Sequence, residues 1–391
     1  MMTYISLSFE VHQPYRLNRE FPYQGGEYFD EKLNRSTFNK ISEKCYHPAT
    51  ETILDRLDEH KNEFKVAFSI SGVFLEQCEM YDSDLLELFK NLAETKNVEF
   101  LCQTYYHSLS SLYEDKDEFM AQVEMHRAAV RDMIGYTPTF FENSELLYNS
   151  EIAELSGSLG FKGIFTEGIS RILGWRSPNY VYEQNNMPVL LRNYQLTDDI
   201  GFRFSSREWE EYPLTADKYA AWLSETQGDC INIFMDYETL GEHHWTDTGI
   251  FEFLRYLPEE ILKYDHLSFL TPSEIVERCD PVGEIDVGVF DPISWADLER
   301  DTSCWLGNEM QIACYEKLKR LERKVKERND RELLETWRRL GISDHLYYLF
   351  TAGGGPGEVH SYFSPYNSPI DAFVIFYSVL SDFERRIDRS Q

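Results

Sequence analysis

Five ionisable side chains, Asp236, Glu238, Glu242, His243 and His244, fall within nine residues of the stretch FMDYETLGEHHW, Phe234 to Trp245. The apolar run before them, Ile231 to Met235, is broken only by Asn232 and reads as the end of a buried strand. Chemistry-bearing groups are thus gathered where a strand meets its loop. In parallel α/β folds catalytic groups are mounted at such points, because the sheet fixes the strand end while the loop turns side chains toward a ligand. The same cluster could also be a solvated acidic loop.

Other strand ends carry similar groups. The run Tyr4 to Phe9 alternates and then passes through Glu10, Val11, His12 and Gln13 to Pro14, whose missing donor and fixed φ take the chain out of a sheet and leave His12 at the strand exit. Val98 to Leu101 leads into CQTYYHSLSSL with Gln103, Tyr105, Tyr106 and His107, and Thr139 to Phe141 leads into ENSELLYN with Glu142 and Glu145. At most one of that last pair is expected to be central. Glu145 could instead cap the following helix, and His12 and His107 could be satisfied core histidines.

The elements that would position these groups alternate. Further strands are expected at Lys65 to Ile70, Lys162 to Thr166, Val189 to Arg192, Gly201 to Phe204 and Leu267 to Leu270. Helices are expected at Phe74 to Phe89, at 116 to 134 with acidic residues early and Arg127 and Arg131 late, and at Ser150 to Leu159. Strand, helix, strand in this rhythm implies parallel strands with right-handed crossovers. Beyond about residue 285 the texture becomes helical, with Glu309 to Arg328, Arg331 to Leu340 and Ile370 to Arg386. The run GGGPG has no following Lys-Ser/Thr and reads as a mobile loop, not a phosphate cradle.

Composition narrows the class. The 391 residues imply one large domain with an appended part, or two domains. With 68 acidic against 38 basic residues and a net charge of −30, the chain is unsuited to nucleic acid or an anionic membrane surface and better suited to a neutral substrate. Seven cysteines at irregular positions form no CxxC pair, and no basic-then-apolar leader opens the chain, so a soluble cytoplasmic protein with reduced thiols is expected. Its 25 Tyr, 26 Phe and 7 Trp offer ring faces on which sugars stack, although rings also fill cores.

Reaction types can be weighed by what is missing. No GxSxG elbow supports a serine nucleophile, and HExxH is absent, while adjacent histidines such as His243 and His244 cannot easily ligate one ion. Metal-dependent deacetylation is therefore the weaker reading. Paired carboxylates remain. Glu145 and Asp236 come from different strand ends, as groups flanking one bond must, and in a retaining glycosidase two such groups stand about 5–5.5 Å apart.

The ordered set HQP at 12–14, QTYYHSL at 103–109, FENSELLYN at 141–149 and MDYETLGEH at 235–243 resembles the motifs of glycoside hydrolase family 57, especially its α-amylase branch. The similarity continues through RNYQLTDDIGFRFS at 192–205 and SDHLYYLF at 343–350. The resemblance implies an α/β fold, an incomplete (β/α)7 barrel over residues 1–284 with a C-terminal helical domain over 285–391 that helps close the cleft. It implies retaining double displacement on α-1,4- or α-1,6-glucans, with hydrolysis expected and glucanotransfer or branching as alternatives, and with neither metal nor organic cofactor. A non-catalytic glucan-binding protein is the rival from another class. By the same resemblance Glu145 is the nucleophile and Asp236 the general acid/base. His12 lines a sugar subsite, Glu10 stands where some members carry a second histidine, and Glu238 contacts substrate and helps keep Asp236 protonated. Gln103 and His107 fall in a motif that varies within the family. With them His243, Trp245, Asp344 and His345 complete the expected substrate-binding set, although His243 and His244 could instead orient the acid loop, and Trp245, Trp295 and Trp305 could be packing.

Overall fold

A computed structural model describes residues 2–352 and 364–389 of the chain. Strand β1 (Thr3–Val11) lies at its centre, hydrogen-bonded in parallel to β8 (Cys230–Asp236) along one edge. Its other edge is shared between β2 (Val66–Ile70) and β9 (Leu267–Phe269). The sheet runs on through β3 (Val98–Leu101) in one direction and through β7 (Met187–Arg192), β5 (Ile164–Glu167) and β4 (Phe141–Glu142) in the other. A parallel bridge between Cys102 and Phe141 then joins β3 to β4, with Glu142 N donating to Cys102 O at 2.8 Å. The strands β1, β2, β3, β4, β5, β7 and β8 thereby form a parallel ring in chain order, the barrel expected. β6 (Tyr182–Gln184) is an antiparallel addition to β7 that the sequence reading did not anticipate.

Parallel strands are covered on both faces, which is why their sequences are near-continuous apolar runs. Ile231, Ile233 and Phe234 of β8 are all buried, and each such side chain contributes about 1.5–3 kcal/mol relative to exposure. That burial fixes the strand end from which Asp236 projects.

Two expected elements differ. Gly201 to Phe204 is no strand: it lies in a π-helical turn, Asp199–Arg203, that continues the helix Tyr194–Asp198. The alternation GFRF mimics strand periodicity, but Asn193 caps the preceding turn by accepting from Leu196 N, and Arg203 pairs with Asp199 one turn back. The expected helix Phe74 to Phe89 is two helices, Gly72–Tyr81 and Ser83–Glu94, because Asp82 leaves helical geometry and caps the second by accepting from Leu85 N.

The C-terminal helices Glu309–Arg328, Arg331–Leu340 and Pro369–Arg389 enclose a second core, in which Leu318, Leu321 and Val325 meet Trp337, Phe376, Val379 and Phe383. Leu17, Phe21 and Tyr28, from the loop after β1, belong to that same core. Ile285, Val287 and Ile293, past the expected seam, pack instead with barrel residues such as Tyr148 and Val189. The short helix Asp344–Tyr347 is brought over the barrel mouth, where Ser343 N donates to His107 O at 3.0 Å. The expected loop GGGPG falls at residues 353–357, outside the described residues.

Candidate active site

The C-terminal ends of the strands open into a cavity of about 390 Å³. Its walls include Glu10 from β1 and His12 just after it, Glu145 from the turn after β4, and Asp236, Glu238 and His243 from the end of β8 and its loop. Asp344, Tyr347 and Tyr348 close it from the helical side. The loop after Asp236 doubles back at Gly241, where φ is +118° and a Cβ would stand 2.2 Å from Lys44 O, so glycine is required there.

Glu145 and His107 face each other, both on left-handed backbone, with φ of 63° and 48°. Such conformations cost non-glycine residues about 1–3 kcal/mol each and persist where surrounding structure over-determines them. Here it does. Trp295 Nε1 donates to Glu145 Oε2 at 2.8 Å, Ser343 Oγ reaches Oε1 at 3.4 Å, and His107 Nε2 lies 3.3 Å from Oε1. Behind His107, Nδ1 lies 2.8 Å from Gln103 Oε1, which can only accept, so that nitrogen carries a proton. The Gln103 amide in turn donates to Ser69 Oγ, whose hydroxyl donates to Glu142 Oε2. Burial pushes the His107 pKa down, but the hydrogen bond and charge of Glu145 outweigh it and the net shift is upward.

Asp236 is pushed up to about 8, first by burial and then by the charges of Glu238 and Glu145, against which Arg192 and His107 pull. It therefore holds a proton at neutral pH. Glu238 rises to about 7, again through burial, which outweighs the Tyr46 hydroxyl and the Gln13 amide that donate to its Oε1. Glu10 is raised well above its ordinary value by burial and by Glu142, Glu145, Asp236 and Glu238 around it. Its Oε1 is buried without a hydrogen-bond partner among the described residues. His12 stacks on His107 with ring centroids 4.1 Å apart, and burial and that neighbour lower its pKa to about 4. A neutral His12 can donate from Nε2 to Asp344 Oδ2 at 3.0 Å while Nδ1 accepts from Ser71.

Three of the residues assigned to substrate from sequence occupy other places. Trp245 is 57% exposed, its ring covered by Lys44 Nζ at 5.2 Å, and it does not line the cavity. His345 points into the helical core, against Phe376, with Nε2 donating to Arg339 O. Gln103 is fully buried and holds His107 instead of lining the cleft. His243 does line it, while neighbouring His244 is held by Ser205 Oγ and Ile200 O, and so supports the loop.

Several wall residues escaped sequence reasoning. Arg192 donates to Glu167 and Asp198, and Arg300 donates to the same two carboxylates from across the cleft. The Arg192 guanidinium also lies 5.5 Å from the centroid of the Trp295 ring, and so steadies the donor to Glu145. A basic residue ending a strand, followed six positions later by an acid, was the available signal for Arg192 and Asp198. Arg300 and Ser343 had none, being remote in sequence from their partners.

The model of the family described as Glycosyl hydrolase family 57 matches residues 6–288 of the chain. This chain belongs to glycosyl hydrolase family 57. A relative from Methanocaldococcus jannaschii named "Putative alpha-amylase" is 51% identical over 393 residues, covering 97% of this chain and 84% of that protein. Among solved structures, a family-57 branching enzyme from Thermococcus kodakaraensis superposes with a TM-score of 0.70 at 15% identity, over 100% of this chain and 91% of that one. The alpha-amylase AmyC from Thermotoga maritima gives 0.60 at 14% identity, over 100% and 97%. A 4-alpha-glucanotransferase from Thermococcus litoralis gives 0.59 at 18% identity, over 89% of this chain, which spans about half (52%) of that protein's length. At such identities these likenesses concern the fold, a barrel with a helical C-terminal region. The family makes the chain a glycoside hydrolase.

Proposed function

We propose that the chain hydrolyses α-1,4-linked glucans by double displacement, with Glu145 as nucleophile and Asp236 as general acid and then base. The observation that carries this reading is the asymmetry of the two groups. Asp236 keeps its proton up to about pH 8, whereas Glu145 is gripped by an indole N–H, a serine hydroxyl and an imidazole in a strained backbone conformation.

In the first step a Glu145 carboxylate oxygen attacks the anomeric carbon as its bond to the glycosidic oxygen breaks. Asp236 delivers its proton to that oxygen, and the shortened glucan leaves. In the second step Asp236, now a carboxylate, takes a proton from water as the water oxygen attacks the anomeric carbon and expels Glu145. Proton count and charge return to their starting values. Glu238 assists by raising Asp236 through like charge, and His12, Glu10 and His243 offer polar groups to the sugar hydroxyls.

The relatives are named as amylase, branching enzyme and glucanotransferase, and a glycosyl-enzyme resolved by water gives hydrolysis whereas one resolved by a sugar hydroxyl gives transfer. Incubation with maltoheptaose, with products resolved by length and reducing ends assayed, separates these outcomes. Shorter products with rising reducing ends are expected. Longer and shorter products at constant reducing ends would replace hydrolysis by transfer, and unchanged maltoheptaose would remove the α-1,4-glucan assignment.

A further inference from the structure

We propose that Glu10, His107 and Glu145 form a binding site for one divalent transition-metal ion of the zinc or cobalt type, which competes with glucan for the nucleophile and reversibly shuts the enzyme off. One ligand atom from each of these residues lies within 4.8 Å of the other two. Metal bonds of about 2.0–2.2 Å place tetrahedral ligands roughly 3.4 Å apart, so adjustments of about 1 Å suffice for closure. The pair His107 Nε2 and Glu145 Oε1 is already at 3.3 Å.

Two observations make this more than a group of acids. Glu10 is 3% exposed, and its Oε1, 3.6 Å from His107 Nδ1, is buried with no hydrogen-bond partner among the described residues. A buried polar atom in that condition destabilises the fold, and a cation beside it would remove the cost. The imidazole is also prepared as a ligand should be. Gln103 fixes Nδ1–H and is itself held by Ser69, which orients Nε2 toward Glu145 as an outer-shell partner orients a metal-bound histidine.

The donor set selects the ion. One imidazole and two carboxylates suit zinc or cobalt better than the oxygen-seeking magnesium and calcium, and no cysteine is present to favour copper(I). Glu145 and His107 line the cavity, so the ion enters by the same mouth as substrate. Binding the dication displaces to solvent whatever protons Glu10 and His107 Nε2 hold, and it occupies the Glu145 lone pair that would attack a sugar. The binding claim stands on geometry; only the loss of turnover rests on the proposed function.

The test uses the full chain, freed of metal by dialysis against chelator, titrated with Co²⁺ and followed by visible absorption and calorimetry. One Co²⁺ per chain with the visible bands of a low-coordinate ion is expected. Glu10→Gln and His107→Gln should each weaken it at least tenfold, and Gln103→Ala about 10–100-fold. Glu259→Gln, on the exposed face of the helix Ile250–Leu262, should leave affinity unchanged. Near-UV circular dichroism checks folding, and if His107→Gln fails to fold, Glu10→Gln and Gln103→Ala decide. Undiminished affinity in Glu10→Gln, several weak ions removed by salt, or no binding up to millimolar Co²⁺ would each overturn the site. Co²⁺ should also stop maltoheptaose cleavage until chelator is added. Absence of cleavage with an intact Co²⁺ spectrum would sink the α-1,4-glucan reading and leave the metal site standing, whereas cleavage undiminished at saturating Co²⁺ would sink the competition.

Discussion

Two sets of buried carboxylates lie side by side in the barrel mouth, and they are treated in opposite ways. Glu167 and Asp198 are matched by the guanidinium groups of Arg192 and Arg300 through four hydrogen bonds. Burial still pushes Glu167 up, but the two arginines pull against it. Among the described residues Glu10, Asp236 and Glu238 have no guanidinium of their own: Arg192 reaches Asp236 only as a distant charge, burial raises all three, and neighbouring carboxylates add to it, Asp344 in the case of Glu238. Compensated acids serve as a joint between β5, β7 and the segment carrying Trp295. Uncompensated acids keep protons near neutral pH, and a proton held there can be given to a leaving group.

The contrast fails at once if the uncompensated side performs no chemistry. Glu145→Gln keeps shape and hydrogen-bond reach but removes the attacking oxygen, so kcat for maltoheptaose should fall by at least ~10³-fold with an unchanged circular dichroism spectrum. Normal turnover would take Glu145 out of the mechanism. On the compensated side the expected loss is of stability. Arg192→Met leaves Glu167 and Asp198 short of a partner in a buried place, at a cost of about 3–5 kcal/mol read from denaturant midpoints. A variant as stable as the wild type would mean that the joint bears no load.

Legibility followed the same division. Strand ends were readable because burial on both sheet faces writes apolar runs, and Glu145, Asp236 and His12 follow such runs directly. The ring closure was not, since β4 spans only Phe141–Glu142 and the bridge to Cys102 is set by three-dimensional geometry. Gly201 to Phe204 misled because period-two alternation also arises in a turn whose start is fixed by the Asn193 cap. Gln103 was readable as polar at a strand exit, but only the fold shows that its amide faces Ser69 and His107 and never the cleft. Arg300 and Ser343 reach the site from the far end of the chain, and no local pattern announces such a meeting.

A finer test concerns repulsion within the uncompensated set. Asp236, near 8, should give an alkaline limb in kcat/KM, with activity falling as pH rises through that value because the acid loses its proton. Glu238 contributes to that elevation by like charge, so Glu238→Gln should lower the Asp236 pKa and move the limb to lower pH by about one unit. A limb that stays in place would leave burial and the charge of Glu145 as the causes. A limb that moves upward would mean that Glu238 had been donating to Asp236 as a neutral acid.

The smallest effect belongs to a residue that sequence reasoning placed with the substrate. Trp245 directly follows the histidines of the acid loop, and a tryptophan so placed is a natural sugar platform. Its ring instead lies at the surface, 57% exposed with Lys44 Nζ over it, and does not line the cavity. Trp295 is the indole that reaches Glu145, through its Nε1. Trp245→Ala should therefore change kcat/KM for maltoheptaose by less than about twofold, as surface substitutions away from special features change free energies by no more than about 0.5 kcal/mol. A tenfold rise in KM at unchanged kcat would extend the binding surface out of the cleft and over the loop, and the boundary between working acids and surface would have to be redrawn around Trp245.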